Sequence, residues 1–199
     1  MNIAKLIVED NADTSCVHLP KEYLDKLKEM FVIVLDLFKT HNIEYWIDGG
    51  TLLGCVREGG QIPYDDDIDL GLDTKNFFKF KKVMKELEAH GFEIKDEPND
   101  VIKILNNKIV YVRDIKELVS TPRILCIDLF LYVEKKGQYI LSSKINREVF
   151  ENCVYEKKDL FPLKEYDYGD IKVKGANNPE PYLTSYYGNW KQKVVYFYM

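Results

Sequence analysis

The chain has no long apolar run: no window of its 199 residues approaches the roughly 18 consecutive apolar residues that a transmembrane helix requires. The amino terminus also lacks a basic segment followed by an apolar core, the pattern typical of a secretory signal. The four cysteines lie 39, 71 and 27 residues apart, which fits neither a zinc site nor a redox pair. These absences predict a cytoplasmic protein with reduced thiols and no transmembrane segment.

An excess of positive charge is lacking as well. The chain has 28 Lys and Arg against 33 Asp and Glu, for a formal net charge of −5. Because nucleic-acid-binding proteins usually present a basic surface, this balance predicts no nucleic-acid partner. It leaves room for a small anionic ligand that a few local donors hold.

Length and composition instead favour one folded domain. The 46% hydrophobic content excludes the disordered and low-complexity classes, and 199 residues can bury a core without disulfides or a structural metal. We therefore expect a single domain over residues 1–199. Residues 1–18 form either a flexible lead or an early strand at residues 3–8, and residues 155–199 contain eight of the 14 tyrosines.

The order of the periodic segments predicts an α+β fold. Apolar residues three and four positions apart predict long helices at residues 21–42 and 74–91, the second capped by Thr74, and strict alternation predicts a strand at residues 67–72. Helices and strands alternate early, whereas the later strands look antiparallel and hairpin-like. The further predicted segments are strands at residues 43–47, 92–95, 101–105, 108–112, 124–133 and 171–173, and helices at residues 51–57, 142–152 and 179–187.

Acidic residues concentrate at the start of the predicted strand 67–72. Asp67 and Asp69 are two apart, so on a strand both carboxylates project from one face. A divalent cation would relieve their repulsion, and Mg²⁺ favours such hard oxygen ligands, with Mn²⁺ as the alternative. A solvated acidic turn is the competing interpretation. An EF-hand starting at Asp65 is rejected, because Leu70 and Asn76 stand where that loop requires Gly and Glu.

A single carboxylate, Asp128, interrupts the most apolar run of the chain, residues 124–133. Such a group is costly to desolvate unless it is paired with a cation or lies on an exposed face. A surface-facing position on a half-buried strand is one interpretation. The other places Asp128 beside Asp67 and Asp69 in a three-carboxylate metal site.

Two glycines, Gly49 and Gly50, separate the predicted strand 43–47 from the short helix that begins at Thr51. Glycines at a helix amino terminus let backbone amides approach a phosphate, although such a pair is often only a turn. Arg57 stands close enough in sequence to offer a forked contact to phosphate, or else it is a surface arginine.

This combination resembles the nucleotidyltransferase superfamily, and more closely the LicD and fukutin-related family of phosphotransferases. The motif Asp-Gly-Gly-Thr-Leu-Leu-Gly-Cys-Val-Arg at residues 48–57, followed by Ile-Pro-Tyr-Asp-Asp-Asp-Ile-Asp-Leu-Gly at residues 62–71, is similar to the family's most distinctive block. Ile-Asp-Leu-Phe at residues 127–130 is similar to its later acidic strand. Further similar segments lie at residues 161–162, 181–183 and 187–190.

The resemblance implies a mixed sheet flanked by helices and a CDP-activated alcohol as donor. Such enzymes transfer phosphocholine or ribitol phosphate to a hydroxyl of a glycan or glycan precursor. The resemblance implies that Asp67 and Asp69 are catalytic and hold Mg²⁺, and that Asp128 is catalytic too, as a further ligand or as the base. The residues expected to bind substrate are Gly49, Gly50, Thr51, Arg57, Asp65 and Tyr187.

Two other functions compete with this one. The first keeps the fold but moves a nucleoside monophosphate from an NTP to a small molecule or protein. The second is a non-catalytic interaction protein that retains the fold. The intact set of Asp67, Asp69 and Asp128 argues against the second, because a degenerate site has no need for three costly carboxylates.

Overall fold

The structure, a computed structural model, describes the backbone of residues 3–7, 18–112, 122–192 and 194–198, and the side chains of residues 18–108 and 124–192. These residues form six helices and eleven strands. The helices are α1 Lys21–Thr40, α2 Gly49–Arg57, α3 Thr74–Ala89, α4 Lys144–Val149, α5 Lys157–Leu160 and α6 Glu180–Tyr187. The strands are β1 Ile3–Ile7, β2 Trp46–Ile47, β3 Asp67–Asp73, β4 Glu93–Glu97, β5 Val101–Val112, β6 Pro122–Lys135, β7 Gln138–Leu141, β8 Val154–Glu156, β9 Lys164–Tyr168, β10 Ile171–Gly175 and β11 Val194–Tyr198.

Seven strands form one mixed sheet, in which the main path runs β2-β3-β6-β5-β4 and β7 and β8 continue from β6. The pairing of β3 with β6 is parallel, and the other pairings in this sheet are antiparallel. Two antiparallel pairs, β9 with β10 and β1 with β11, form separate two-stranded sheets. The predicted α+β class, with a mixed sheet flanked by helices, is confirmed.

Helices α1 and α3 pack on the sheet at β3 and β6. Leu27 and Phe31 of α1 are fully buried, as are Ile68 and Leu70 of β3. Because successive strand residues point to opposite faces, burying Ile68 and Leu70 in the core turns the alternating aspartates of β3 to the other face. The core therefore fixes the direction in which the acidic residues point.

Several boundaries differ from the predicted ones. Helix α2 begins at Gly49 rather than at residue 51, so the two glycines form its first turn instead of a preceding loop. Asp73, not Thr74, caps α3, because its carboxylate accepts a hydrogen bond from the Asn76 N–H at 2.8 Å. The segments predicted at residues 101–105 and 108–112 are one strand, β5, with a register shift after Asn106.

The start of the chain pairs with its end. Of the two interpretations of the lead, the strand applies to residues 3–7, which pair with β11. The rest of the lead, up to residue 17, lies outside the described residues. In the part of the chain that the structure describes, no helix is both long and apolar enough to cross a membrane.

Candidate active site

Three carboxylates converge on one face of the sheet. The parallel register of β3 and β6 places Asp69 opposite Asp128 and Asp67 opposite Cys126. Oxygens of Asp67, Asp69 and Asp128 all lie within 4.8 Å of one another. The structure thus brings together the residues that the sequence grouped, and the cluster can hold a divalent cation. Their catalytic roles stay a prediction.

The charges of this cluster are closely packed. Burial raises the pKa of Asp67 well above its usual range, and the neighbouring Asp69 and Asp65 raise it further. Burial likewise raises the pKa of Asp69, with contributions from Asp65 and Asp128. Ionisation of Asp67 and Asp69 is therefore disfavoured, and a bound cation would remove this penalty.

The start of α2 positions Asp69. The Gly50 N–H donates to Asp69 Oδ2 at 3.0 Å, and the Asp69 N–H donates to Thr51 Oγ1 at 2.9 Å. Gly49 has a φ of +46°, and a Cβ there would lie 2.6 Å from Asp69 Oδ2. A Cβ on Gly50 would lie 2.5 Å from Asp65 Oδ2. The glycines are thus needed for close approach of helix and carboxylates, and their expected role toward a phosphate stays a prediction.

A cavity of about 420 Å³ opens over the cluster. The three carboxylates line it together with Asp65 and the two glycines of α2. An aromatic wall, from residues near the carboxyl end of the chain, also lines it. This wall contains Tyr182, Tyr186, Tyr187 and Trp190. The expected substrate residue Tyr187 therefore shares one cavity with the acidic cluster.

Arg57 lies in the wall of this cavity and is not a surface arginine, since its side chain is only 9% exposed. Its Nε pairs with Glu58 Oε1 at 2.8 Å. Its Nη1 donates to the Trp190 carbonyl at 3.3 Å and its Nη2 to the Tyr64 hydroxyl at 3.4 Å. Arg57 thus joins the end of α2 to the aromatic wall, with its planar fork beside the cavity.

Asp48 is a residue that the sequence reasoning missed. Its carboxylate is 2% exposed and accepts hydrogen bonds from the hydroxyls of Tyr132 at 2.6 Å, Tyr155 at 2.7 Å and Tyr182 at 2.8 Å. Burial and the Asp48 charge raise the pKa of all three tyrosines, so the hydroxyls stay protonated as donors. The Asp48 N–H donates to the Asp69 carbonyl at 2.9 Å, which links this network to the acidic cluster.

Two further contacts of the cluster were also missed. Lys103 Nζ contacts Asp128 Oδ2 at 2.6 Å, and Cys126 Sγ donates to Asp128 Oδ1 at 2.8 Å. Both carboxylate oxygens of Asp128 therefore have a partner. Lys103 belongs to β5. The sequence predicted a strand there, but it did not predict that this strand pairs with β6.

Comparisons with known proteins agree with this geometry. The family model described as "LicD/FKTN/FKRP, nucleotidyltransferase domain" matches residues 42–178. An uncharacterised protein of Rickettsia typhi is 32% identical over 162 residues, which is 81% of this chain and 45% of that protein. The lipopolysaccharide cholinephosphotransferase LicD of Haemophilus influenzae is 26% identical over 107 residues, 50% of this chain and 40% of LicD.

Shorter and more distant similarities were found as well. The human ribitol 5-phosphate transferase FKRP is 41% identical over 49 residues, 25% of this chain and 10% of FKRP. The crystal structure of the lincosamide antibiotic adenylyltransferase LnuA with bound lincomycin gives a TM-score of 0.46 at 17% identity, over 83% of this chain and 85% of that one. This chain spans about half the length of the Rickettsia proteins that it matches, at 45% and 54%.

Proposed function

The chain belongs to the LicD/FKTN/FKRP family of nucleotidyltransferase domains, and we propose that it transfers a phosphorylated alcohol from a CDP-activated donor to a hydroxyl of a glycan or glycan precursor. The activities named for two relatives, a cholinephosphotransferase and a ribitol 5-phosphate transferase, support an alcohol of the choline or ribitol type. A cytoplasmic location and a single domain are part of the proposal.

The observation that carries the proposal is the convergence of three carboxylates with mutually unfavourable charges at the floor of a substrate-sized cavity. Asp67, Asp69 and Asp128 offer oxygen ligands, the type that Mg²⁺ prefers, with Mn²⁺ as the alternative. When bound, such an ion supplies positive charge against the diphosphate of the donor.

The residues of the chain supply the remaining functions. Arg57 directs a planar guanidinium along the cavity wall, where two of its N–H groups can meet phosphate oxygens. Tyr187 in the aromatic wall can pack against the base or the alcohol of the donor. Asp128 either completes the metal site or accepts the proton of the attacking hydroxyl, and these two roles require different distances to the acceptor.

The test is a product assay with purified protein, CDP-choline, CDP-ribitol, CDP-glycerol and NTPs, each with and without Mg²⁺. Release of CMP from a CDP-alcohol, dependent on the cation, is the expected result. Release of pyrophosphate from an NTP would instead support nucleotidyl transfer. Absence of turnover with every donor, and of any donor-linked thermal stabilisation, would favour the non-catalytic alternative.

Substitution of Asp128 assigns the activity to this site. We expect Asp128→Ala to lower the rate of CMP release by about 10²-fold or more, within the range typical of removing a general base. Its effect on donor binding should be smaller than that of losing Asp67. Asp36→Asn is the matched control, because Asp36 is an exposed carboxylate on α1. A normal rate in Asp128→Ala would contradict the assignment.

A further inference from the structure

Lys103 stands in line with the acidic cluster across the sheet. Register pairs Asp128 of β6 with Asp69 of β3 on one side and with Lys103 of β5 on the other. Cross-strand partners project from the same face of a sheet. The side chains of Asp69, Asp128 and Lys103 therefore project from one face of the sheet, and Asp69 and Asp128 line the cavity there.

The Lys103 ammonium pairs with an oxygen of Asp128, the carboxylate that a three-carboxylate metal site would use as a ligand. Its Nζ lies 2.6 Å from Asp128 Oδ2, and Cys126 Sγ takes the other oxygen at 2.8 Å. The Asp128 side chain is 10% exposed, whereas that of Lys103 is 36% exposed. The lysine thus reaches the cluster from the solvent side and is not locked in the core.

The cavity has an excess of negative charge that one divalent cation does not neutralise. Of the described residues that line the cavity, only Arg57 is positively charged, and Glu58 already pairs with it at 2.8 Å. Three clustered carboxylates and one divalent cation still leave a net negative charge where a doubly charged diphosphate would have to bind. The Lys103 ammonium, which contacts Asp128, is a group that can offset it.

We propose that Lys103 is a phosphate-binding residue with two positions: it pairs with Asp128 in the absence of metal, and it donates to a phosphate oxygen of the donor once Asp128 has become a metal ligand. This inference rests on the proposed function. Asp128 Oδ2 cannot serve the ammonium and a cation at about 2.0–2.1 Å equally well, so ligation weakens the ion pair. The flexible stem of lysine lets Nζ move while its backbone stays in β5.

Binding of simple probes tests the proposal without relying on turnover. Affinities for Mn²⁺ alone, and for inorganic pyrophosphate in the presence of Mn²⁺, are measured by titration calorimetry on the full chain. In Lys103→Met we expect Mn²⁺ to bind as tightly as in the wild type or more tightly, because the competing ammonium is gone. Pyrophosphate should bind about tenfold more weakly, the effect expected for one charge-assisted hydrogen bond.

Two variants make the result specific. Lys103→Arg retains the charge and should recover most of the pyrophosphate affinity. Lys81→Met is the matched control, because it removes the Lys81–Asp96 ion pair at 3.0 Å, on the exposed surface between α3 and β4. This control should leave both affinities unchanged.

Three outcomes would overturn the proposal. Unchanged pyrophosphate affinity in Lys103→Met, with normal binding by the wild type, would reduce Lys103 to a structural partner and leave the proposed function intact. Loss of Mn²⁺ affinity in Lys103→Met would also mean that the ion pair serves only to position Asp128. Failure of the wild type to bind Mn²⁺ at all would refute the proposed metal-dependent function together with this inference.

Discussion

Replacing Asp67 by Asn should stabilise the protein without metal and abolish its stabilisation by Mg²⁺. The substitution keeps the shape of the side chain and removes one of three charges whose oxygens lie within 4.8 Å of one another. Each fully ionised pair at that distance repels by about 3.5 kcal/mol at an effective dielectric constant of about 20. Partial exposure and partial protonation reduce this, so we expect a gain of about 1–3 kcal/mol in the free energy of unfolding.

The pH dependence of the unfolding free energy tests independently whether Asp67→Asn stabilises the protein. Because burial and Asp69 raise the pKa of Asp67 above its unfolded value, the folded state favours the protonated carboxyl. The unfavourable contribution is therefore absent at low pH and grows as pH rises through the raised pKa. The unfolding free energies of wild type and Asp67→Asn should converge near pH 4 and separate toward pH 8, with the variant the more stable.

Urea unfolding at several pH values, with EDTA and with Mg²⁺, measures both effects. A saturating ligand at a hundred times its Kd stabilises by about 2.7 kcal/mol, and this increment should vanish in Asp67→Asn. For a chain of this size, 1 kcal/mol corresponds to about 2–4 °C in Tm. The exposed Asp36→Asn should show neither effect. A less stable Asp67→Asn in EDTA, or an unchanged response to Mg²⁺, would refute the reasoning.

Three further predictions concern the frame of the site. Gly49→Ala should lower turnover by about tenfold or more, since its φ is +46° and its Cβ would lie 2.6 Å from a cluster carboxylate, whereas Gly137→Ala, with a φ of +82° and open space, should not; equal rates would contradict this. Arg57→Lys should raise the donor KM because lysine lacks the fork, while Glu58→Gln should not raise it; an unchanged KM in Arg57→Lys would leave Arg57 a purely structural role. Asp48→Asn should cost about 2 kcal/mol of unfolding free energy, since three hydroxyls donate to its charge, and a loss below about 0.5 kcal/mol in urea titration would contradict this.

Local patterns in the sequence were enough to anticipate the acidic cluster. Alternation fixed the face of Asp67 and Asp69, and the apolar neighbours of Asp128 fixed its direction on a strand. The patterns left open whether β3 and β6 are neighbouring strands. Their parallel pairing is set by packing of the whole sheet, and here the interpretation with one shared site agrees with the geometry.

Contacts between distant residues were beyond such patterns. The tyrosines that donate to Asp48 follow it by 84, 107 and 134 residues, and nothing in their own segments marks them as its partners. Lys103 likewise looks like an ordinary polar position of a strand until β5 is placed beside β6. Capping details such as the start of α2 differ by one or two residues, the usual uncertainty of helix ends.

The acidic residues of the site differ in the donors and cations that contact their carboxylates, and Asp67 differs most from the others. Three tyrosine hydroxyls donate to Asp48, the Gly50 N–H donates to Asp69, and Lys103 pairs with Asp128. In the part of the chain that the structure describes, no donor is found for the carboxylate of Asp67, although burial and four neighbouring aspartates raise its pKa. Without metal, Asp128 has the Lys103 ammonium as a partner, whereas the charge of Asp67 depends on an external cation. Metal-linked stability should therefore respond more strongly to the loss of Asp67 than to the loss of Asp128.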